Sequence, residues 1–315
     1  MTPQQAVPPT GYGALEREAD IYVRKMLALG HAVDLYAGPG TTCKADNVYL
    51  ASGSKESDEH GLLEKLLERR ENYNCVIDIS SLHLPGQVAD LKSISLFLGD
   101  DYRMRPHDEV KNRVYCSKEL AYNWDSMGHP IIPNTFYYDA DEVPLGDGGG
   151  GYDLYVGLIH RKKGINIAVA ACKKAGIELR IAGPVADKTL WDAIKDHVTY
   201  LGVIGEEGRW DVFGKAKVFM HFPQTCDAGP FGPQEAMLCG TPVIAAPHGG
   251  VCSSIVDGVS GFFAFTPQDA AERIGRIDRL DRWQVRQSVI EYADTDRNVW
   301  NLLLLCKGVA EGETW

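Results

Sequence analysis

Residues 227–261 read DAGPFGPQEAMLCGTPVIAAPHGGVCSSIVDGVSG. Two carboxylates, Asp227 and Glu235, enclose a glycine- and proline-rich loop from Gly229 to Pro233, and a helix is expected to begin near Glu235. The apolar run Pro242 to Ala246 follows as a strand, and Val218 to Phe222 precedes the loop as another. Strand, loop, helix and strand in this order form a right-handed βαβ crossover in a parallel sheet. A loop that opens a helix offers backbone N–H groups to anions and hydroxyls. A carboxylate there can accept hydrogen bonds from a sugar or ribose diol. A plain Gly/Pro turn with a helix-capping acid fits the spacing equally well.

The same rhythm extends toward the N-terminus. Asp153 to Gly157 reads as a strand and Ile165 to Ala175 as a helix, then Glu178 to Ala182 as a strand and Thr189 to Asp196 as a helix. Val198 to Leu201 is a strand and Arg209 to Lys215 a helix. Ligands of such sheets bind beyond the carboxyl ends of the strands, and here those ends carry Gly157, Gly183 and Gly202. His160-Arg161-Lys162-Lys163 sits between a strand and a helix starting at Gly164. Four basic residues in a loop also describe an ordinary solvated turn, but the strand-to-helix position favours phosphate.

Gly146 to Gly151 (GDGGGG) is the clearest linker, since consecutive glycines sustain neither helix nor strand. It divides the chain into an expected first domain, 1–146, and second domain, 151–294. The last helix, around Asn298 to Val309 within 295–315, is expected to return to the first domain. In the first half Leu15, Ala19, Tyr22, Val23, Met26 and Leu27 share a helical face that Gly30 ends. Ala32 to Ala37, Cys75 to Ile79, Ser93 to Leu98, Val114 to Cys116 and Ile131 to Asn134 read as strands. Gly61 to Arg70 reads as a helix, and Ser117 as the cap of another. Met1 to Pro9 is too polar and proline-rich for a good buried strand, so the first strand of this half is expected to be short or missing.

At 315 residues the chain suits two domains. Its net charge of −11 argues against nucleic acid and against a polybasic membrane anchor. No apolar run is long enough for a transmembrane segment and the first residues lack a signal-peptide core, so a cytoplasmic protein is expected. The eight cysteines form no CxxC pair, which suits reduced structural thiols rather than zinc.

With these residues in view, the chain resembles the retaining glycosyltransferases of family 4, whose donor motif sets two acids seven residues apart around a Phe-Gly loop. EAMLCGTPVIAAPHGG and IVDGVSGF look like the same motif's continuation. GYGALE (11–16) resembles the family's glycine-rich first loop, GHAVDLYA (30–37) its following strand, and IIPN (131–134) its approach to the second domain. YVGLIHRKKGINIAVAA (155–171) is similar to its lysine loop, followed by LRIAGP and VTYLGVI. The resemblance implies a GT-B fold: α/β, with two Rossmann-like domains whose parallel sheets face across a cleft that holds a nucleotide sugar. It implies a hexosyltransferase-type enzyme with the nucleotide sugar as substrate, no cofactor and no metal. The acceptor is open: a sugar, a lipid-linked sugar or a small molecule.

Carried over residue by residue, Glu235 would hold the ribose hydroxyls and Asp227 would face the donor sugar. Phe231 and Gly232 would offer backbone N–H groups to sugar hydroxyls, and Lys163 would neutralise the diphosphate. Gly202 and Ile204 would meet the base, and Gly13 would lie under the diphosphate. Four departures stand out. The first acid is Asp where the family has Glu, the Phe-Gly pair comes two positions late, and Leu158 replaces an arginine. The His-Gly turn of the first domain reads Phe97-Leu98-Gly99-Asp100, with His83 or Asp100 as substitutes. Arg161, in a loop read as extended, is expected to replace the lost cation beside Lys163. Trp124 and the Tyr137-Tyr138 pair are expected to pack. A GT-B epimerase or hydrolase, or a degenerate GT-B module that binds a nucleotide or partner without turnover, are the competing readings.

Overall fold

In the computed structural model the chain folds as two units, residues 1–137 with 293–315 and residues 138–292. The structure describes residues 1, 5–9, 13–53, 57–98, 109–124, 126–134, 140–205 and 208–315. Gly11, Tyr12, Gly99, Asp100, Tyr137 and Tyr138, which figured in the sequence reading, lie outside them.

The first unit opens with helix α1 (Ala14–Ala28), whose buried face includes Ala19, Tyr22, Val23 and Met26. Strands β1 (Asp34–Ala37) and β2 (Asn47–Leu50) pair in parallel, β2 being an element the sequence pattern did not show. Helix α2 (Ser57–Leu67) buries Leu62 and Leu66. Strand β3 (Val76–Asp78) leads to the one-turn helix α3 (Leu84–Gln87). Strands β4 (Ser93–Phe97) and β5 (Arg113–Tyr115) complete a parallel sheet of order β3-β4-β5. Helix α4 (Lys118–Asn123) starts where the Ser117 side chain accepts a hydrogen bond from the Leu120 amide. The strand expected at Ile131 to Asn134 is a single bridge between Tyr115 and Ile131, because Pro130 and Pro133 remove ladder donors on both sides. Beside β3, Met1 donates to the Ile77 carbonyl and accepts from the Ile79 amide, as a strand residue would.

The second unit holds the six-stranded parallel sheet β11-β10-β9-β6-β7-β8. In chain order its elements are β6 (Tyr152–Val156), α5 (Ile165–Ala175), β7 (Glu178–Ala182), α6 (Lys188–Ile194), β8 (Thr199–Tyr200) and α7 (Arg209–Lys215). They continue with β9 (Phe219–His221), α8 (Phe231–Leu238), β10 (Val243–Ala245), α9 (Val251–Ser254), β11 (Gly261–Phe263), α10 (Pro267–Ile274) and α11 (Arg282–Tyr292). Counted from β6, the strand order is 3-2-1-4-5-6 read from the other edge, the doubly wound arrangement whose switch point lies between β6 and β9. Leu154, Ile181, Phe219, Met220 and Ile244 are fully buried at its centre, each contributing about 1.5–3 kcal/mol.

The glycine run expected as the boundary lies inside this second unit. The Gly146, Gly148 and Gly150 amides donate to the carbonyls of Cys239, Gly214 and Lys215. A side chain at Gly146 would collide with Gly214, so the run is a close-packed edge rather than a free tether. Arg282 clasps it, donating to the carbonyls of Gly146, Gly214 and Ala216 and to the Thr241 hydroxyl. Arg286 does the same for Ala140, Val143 and Leu238. Helix α12 (Thr295–Ala310), capped by Asp294, belongs to the first unit. There Asn298 donates to the Pro133 carbonyl, Lys92 to that of Ala310, and the Trp315 indole to that of Arg113. No helix among the described residues is long and apolar enough to cross a membrane.

One buried acid sits in the middle of β6. Asp153 is fully buried, and among the described residues its close polar partner is the Cys172 thiol at 3.5 Å. Burial pushes its carboxyl up to about 7. The folded state therefore keeps a proton that the unfolded chain loses near pH 4, so this group's contribution to stability falls as pH rises from about 4 to 7. Asp153→Asn should flatten that decline and raise stability at pH 8 by on the order of 2–4 kcal/mol. Chemical denaturation at pH 5 and pH 8 checks it; parallel pH dependence in parent and variant rejects the assignment.

Candidate functional site

The chain leaves β6 at Val156 and β9 at His221, the two strands that flank the switch point. After β6, residues 161–163 form one 3-10 turn and Gly164 opens α5 at φ 65°. A Cβ on Gly164 would lie 1.7 Å from the Phe222 carbonyl oxygen, so only glycine lets the two strand exits approach this closely. The Gln224 amide then donates to the Lys162 carbonyl at 2.7 Å and ties the loops together.

Lys163 and Asp227 meet here. The ammonium lies 2.6 Å from Asp227 Oδ2, with the lysine about one-third exposed and the aspartate one-fifth. Burial is the largest single influence and would raise the Asp227 carboxyl, but the Lys163 charge, His221 and the Lys163 hydrogen bond together hold the group below its usual range. The His-Gly-Gly turn seats Asp227 from behind. The Gly250 amide donates to the Asp227 carbonyl at 2.7 Å, and a Cβ on Gly249 (φ 79°) would come within 2.6 Å of the Asp227 backbone.

Helix α8 begins at Phe231, four residues earlier than expected. Phe231 and Gly232 therefore form its first turn rather than a preceding loop, and Glu235 lies in its second turn. The segment is rich in helix formers only from Gln234 onward, which is why residue preference alone misplaced the start. Gly232 approaches the end of β6, since a Cβ there would lie 3.3 Å from the Val156 carbonyl oxygen. Glu235, 3% exposed, is engaged by both arms of the Arg209 guanidinium: Nε donates to Oε1 at 3.1 Å and Nη2 to Oε2. Arg209 opens α7 and lies over the Phe213 ring.

Gly202 and Ile204 follow β8, and the Gly202 carbonyl accepts from the Gly183 amide at 2.8 Å. The Gly157 amide in turn donates to Ala182. The exits of β8, β7 and β6 thus lie side by side. Gly13, in the first unit, is the N-cap of α1.

Arg161 is placed differently from the extended-loop expectation. A 3-10 turn advances by about 120° per residue, so residues 161 and 163 do not share a side. Arg161 Nε donates instead to Asp187 Oδ2 at 2.7 Å. Asp187 also caps α6, and the guanidinium holds its carboxyl at about 2. Leu158 uses its carbonyl to accept the Tyr155 hydroxyl. In the first unit, His83 is buried at φ 47° against the Phe97 ring, with Nδ1 3.6 Å from Asp78 Oδ2. Trp124 stands edge-on to Phe97 and Tyr115. Among the described residues no group of three or more His, Cys, Asp or Glu could hold a metal ion.

Two residues of this region escaped the sequence reading. Arg209 follows a loop with no motif of its own. His221 sits within an apolar strand, where a lone histidine gives no signal; its Nε2 is buried, without a hydrogen-bond partner among the described residues, 3.8 Å from Asp227 Oδ2. Burial lowers the imidazole to about 4, with Asp227 opposing and Lys163 adding to the shift.

A doubly wound six-stranded unit with its polar groups gathered at the switch point, in one chain with a second parallel α/β unit, defines the GT-B class of fold. Solved structures agree. AviGT4, a glycosyltransferase involved in avilamycin A biosynthesis, superposes with a TM-score of 0.77 at 22% identity, covering 99% of this chain and 94% of its own. Anabaena Alr3699/HepE, solved in complex with UDP, gives 0.71 at 14% identity, covering 96% and 98%. Residues 146–296 match the family model of the glycosyl transferases group 1. An uncharacterized glycosyltransferase of Methanocaldococcus jannaschii, MJ1178, is 24% identical over 159 residues, which are 48% of this chain and 44% of that protein's length.

Proposed function

We propose that the protein is a retaining glycosyltransferase of family 4 that moves a sugar from a nucleoside-diphosphate sugar to an acceptor hydroxyl. The observation that carries this reading is the meeting of Lys163 and Asp227 at the switch point, between the exits of β6 and β9. A diphosphate leaving group gains negative charge as its bond to the sugar breaks, and a lysine ammonium beside the N-terminus of α5 is suited to stabilise it. The departing phosphate oxygen takes the acceptor's proton on the same face of the sugar, so no covalent nucleophile is required. Asp227 and the amides of Phe231 and Gly232 bind sugar hydroxyls. Glu235 receives the ribose diol, and the backbone at Gly202 and Ile204 meets the base. Charge is handled by side chains and helix termini without a metal or cofactor.

The similarity to a protein solved with UDP makes UDP-sugars the first donors to try. A panel of UDP, GDP, ADP and TDP with their sugars should show a rise in melting temperature for one base, because a ligand at a hundred times its Kd stabilises by about 2.7 kcal/mol. The same donors should then show transfer or slow hydrolysis. One observation favours a binding module without turnover: Leu158 stands where the family has an arginine, and Arg161, the expected replacement, is held by Asp187. Binding with no transfer and no hydrolysis across the panel would establish that reading, and an isomerised sugar would mark an epimerase.

A further inference from the structure

Lys163 has two claims on it. In this structure its ammonium is spent on Asp227, at 2.6 Å. Under the reading above, the same ammonium is needed by the donor's diphosphate, and Asp227 is needed by the donor's sugar. One cation cannot serve both carboxylate and diphosphate at full strength, since each wants the same short charge-assisted hydrogen bond. When Lys163 turns away, Asp227 is left mostly buried and charged, which is costly without another donor. The side chain placed to supply one is His221. It stands at the carboxyl end of β9, 5% exposed, with Nε2 buried, unpartnered among the described residues and 3.8 Å from Asp227 Oδ2. A shift of less than 1 Å would close that gap to hydrogen-bond length.

We propose that Asp227 and an incoming diphosphate compete for Lys163, and that His221 takes over Asp227 when the diphosphate wins. This inference rests on the donor-site reading above. Asp227 is then a built-in occupant of the diphosphate's cation, displaced only by a ligand that rewards its release. A complete nucleotide sugar does so, because its hydroxyls give the freed carboxylate new partners; a bare nucleoside diphosphate does not. His221 is a positioning residue: it acts on Asp227 rather than on the leaving group.

The exchange also moves a proton. The charged groups facing His221 are Lys163, from the turn before α5, and Asp227, from the loop after β9. Its strand neighbour β10 brings only Val243, Ile244 and Ala245. On the other side β6 carries Asp153 and Tyr155, whose polar atoms engage Cys172 and the Leu158 carbonyl. Taking Lys163 away from this group removes a positive neighbour and leaves a negative one unpaired. Both changes favour protonated imidazole, so binding of the complete nucleotide sugar draws a proton toward His221.

Titration calorimetry with the nucleoside diphosphate that binds the parent tests the proposal. Asp227→Asn should bind that diphosphate roughly tenfold more tightly, the scale of one charge-assisted hydrogen bond no longer spent internally. It should lose the parent's preference for the full nucleotide sugar over the diphosphate. Lys163→Met combined with Asp227→Asn should abolish the gain, and an unchanged far-ultraviolet spectrum shows that the variants fold. Repeating the titration with the full nucleotide sugar near pH 7, in buffers of different ionisation enthalpy, should show net proton uptake by the parent and less by His221→Asn. If the parent binds the diphosphate and Asp227→Asn binds it no better, the competition is wrong while the donor site stands. Equal proton uptake in parent and His221→Asn overturns the histidine's part. If the parent binds no nucleoside diphosphate or nucleotide sugar, the donor-site reading fails and this inference with it.

Discussion

Lys163→Ala should reduce the single-turnover rate of sugar transfer by on the order of 10²–10³-fold, the scale of losing one preorganised electrostatic stabiliser. The reason lies in the leaving group. Charge on the diphosphate grows as the glycosidic bond breaks, so a cation at that position stabilises the transition state more than the bound donor, and its loss falls on the rate. Arg161→Ala should leave the rate within a few-fold of the parent. The two residues occupy one 3-10 turn, and Arg161 is engaged with Asp187 at the start of α6. An equal collapse in both variants would mean that Arg161 leaves Asp187 when donor binds and supplies the cation missing at Leu158. If neither change matters, the donor site has been placed on the wrong residues and the module without turnover gains.

Glu235→Ala and Glu235→Gln are expected to weaken nucleoside-diphosphate binding by about ten- to hundredfold, since a carboxylate bridging a ribose diol makes charge-assisted hydrogen bonds of roughly 1.5–3 kcal/mol. The structure adds a consequence for folding. Glu235 is buried and held by both arms of Arg209, which is itself 17% exposed. Removing the carboxylate strands a largely buried guanidinium, and breaking such a pair from one side costs up to about 3–5 kcal/mol. Glu235→Gln keeps one acceptor for Arg209 and should be the more stable of the two. Melting temperatures taken beside the binding curves separate the effects. A variant that melts like the parent yet binds nucleoside diphosphate as tightly would remove Glu235 from the site.

From Tyr152 to Ala246 the second unit was largely legible; its last elements, α9, β11, α10 and α11, were not read from the sequence. Its helices at 165–175 and 209–215 and its strand at 178–182 fall where periodicity and the Gly/Pro punctuation place them. Fully buried parallel strands and capped helices leave strong local marks. The start of α8 was not legible, because Phe-Gly-Pro reads as a loop until tertiary packing winds it into a first turn. At the glycine run, composition likewise cannot distinguish a free tether from a backbone pressed against Gly214 and clasped by Arg282. In the first unit β2 was missed because it is only four residues long and its apolar residues, Val48, Tyr49 and Leu50, run consecutively without the alternation that marks a strand. At the candidate site the two acids and the lysine announced themselves by spacing and resemblance. Arg209 and His221 did not, since each acquires a role only through a partner 26 or 6 positions away that folding brings close.

The chain order of the two units bears on how the protein is made. Residues 138–292 are a continuous stretch, whereas the first unit draws its last helix, α12, from beyond them. On the ribosome the usual sequence is for the N-terminal domain to finish first. Here the first 137 residues emerge without the helix whose Asn298 meets Pro133 and whose end receives Lys92. The second unit has all its strands before α12 is synthesised. Nascent chains stalled just after Tyr292 should therefore carry a protease-resistant second unit behind a protease-sensitive first one, and resistance of the first unit should arrive only once residues 295–310 have cleared the exit tunnel.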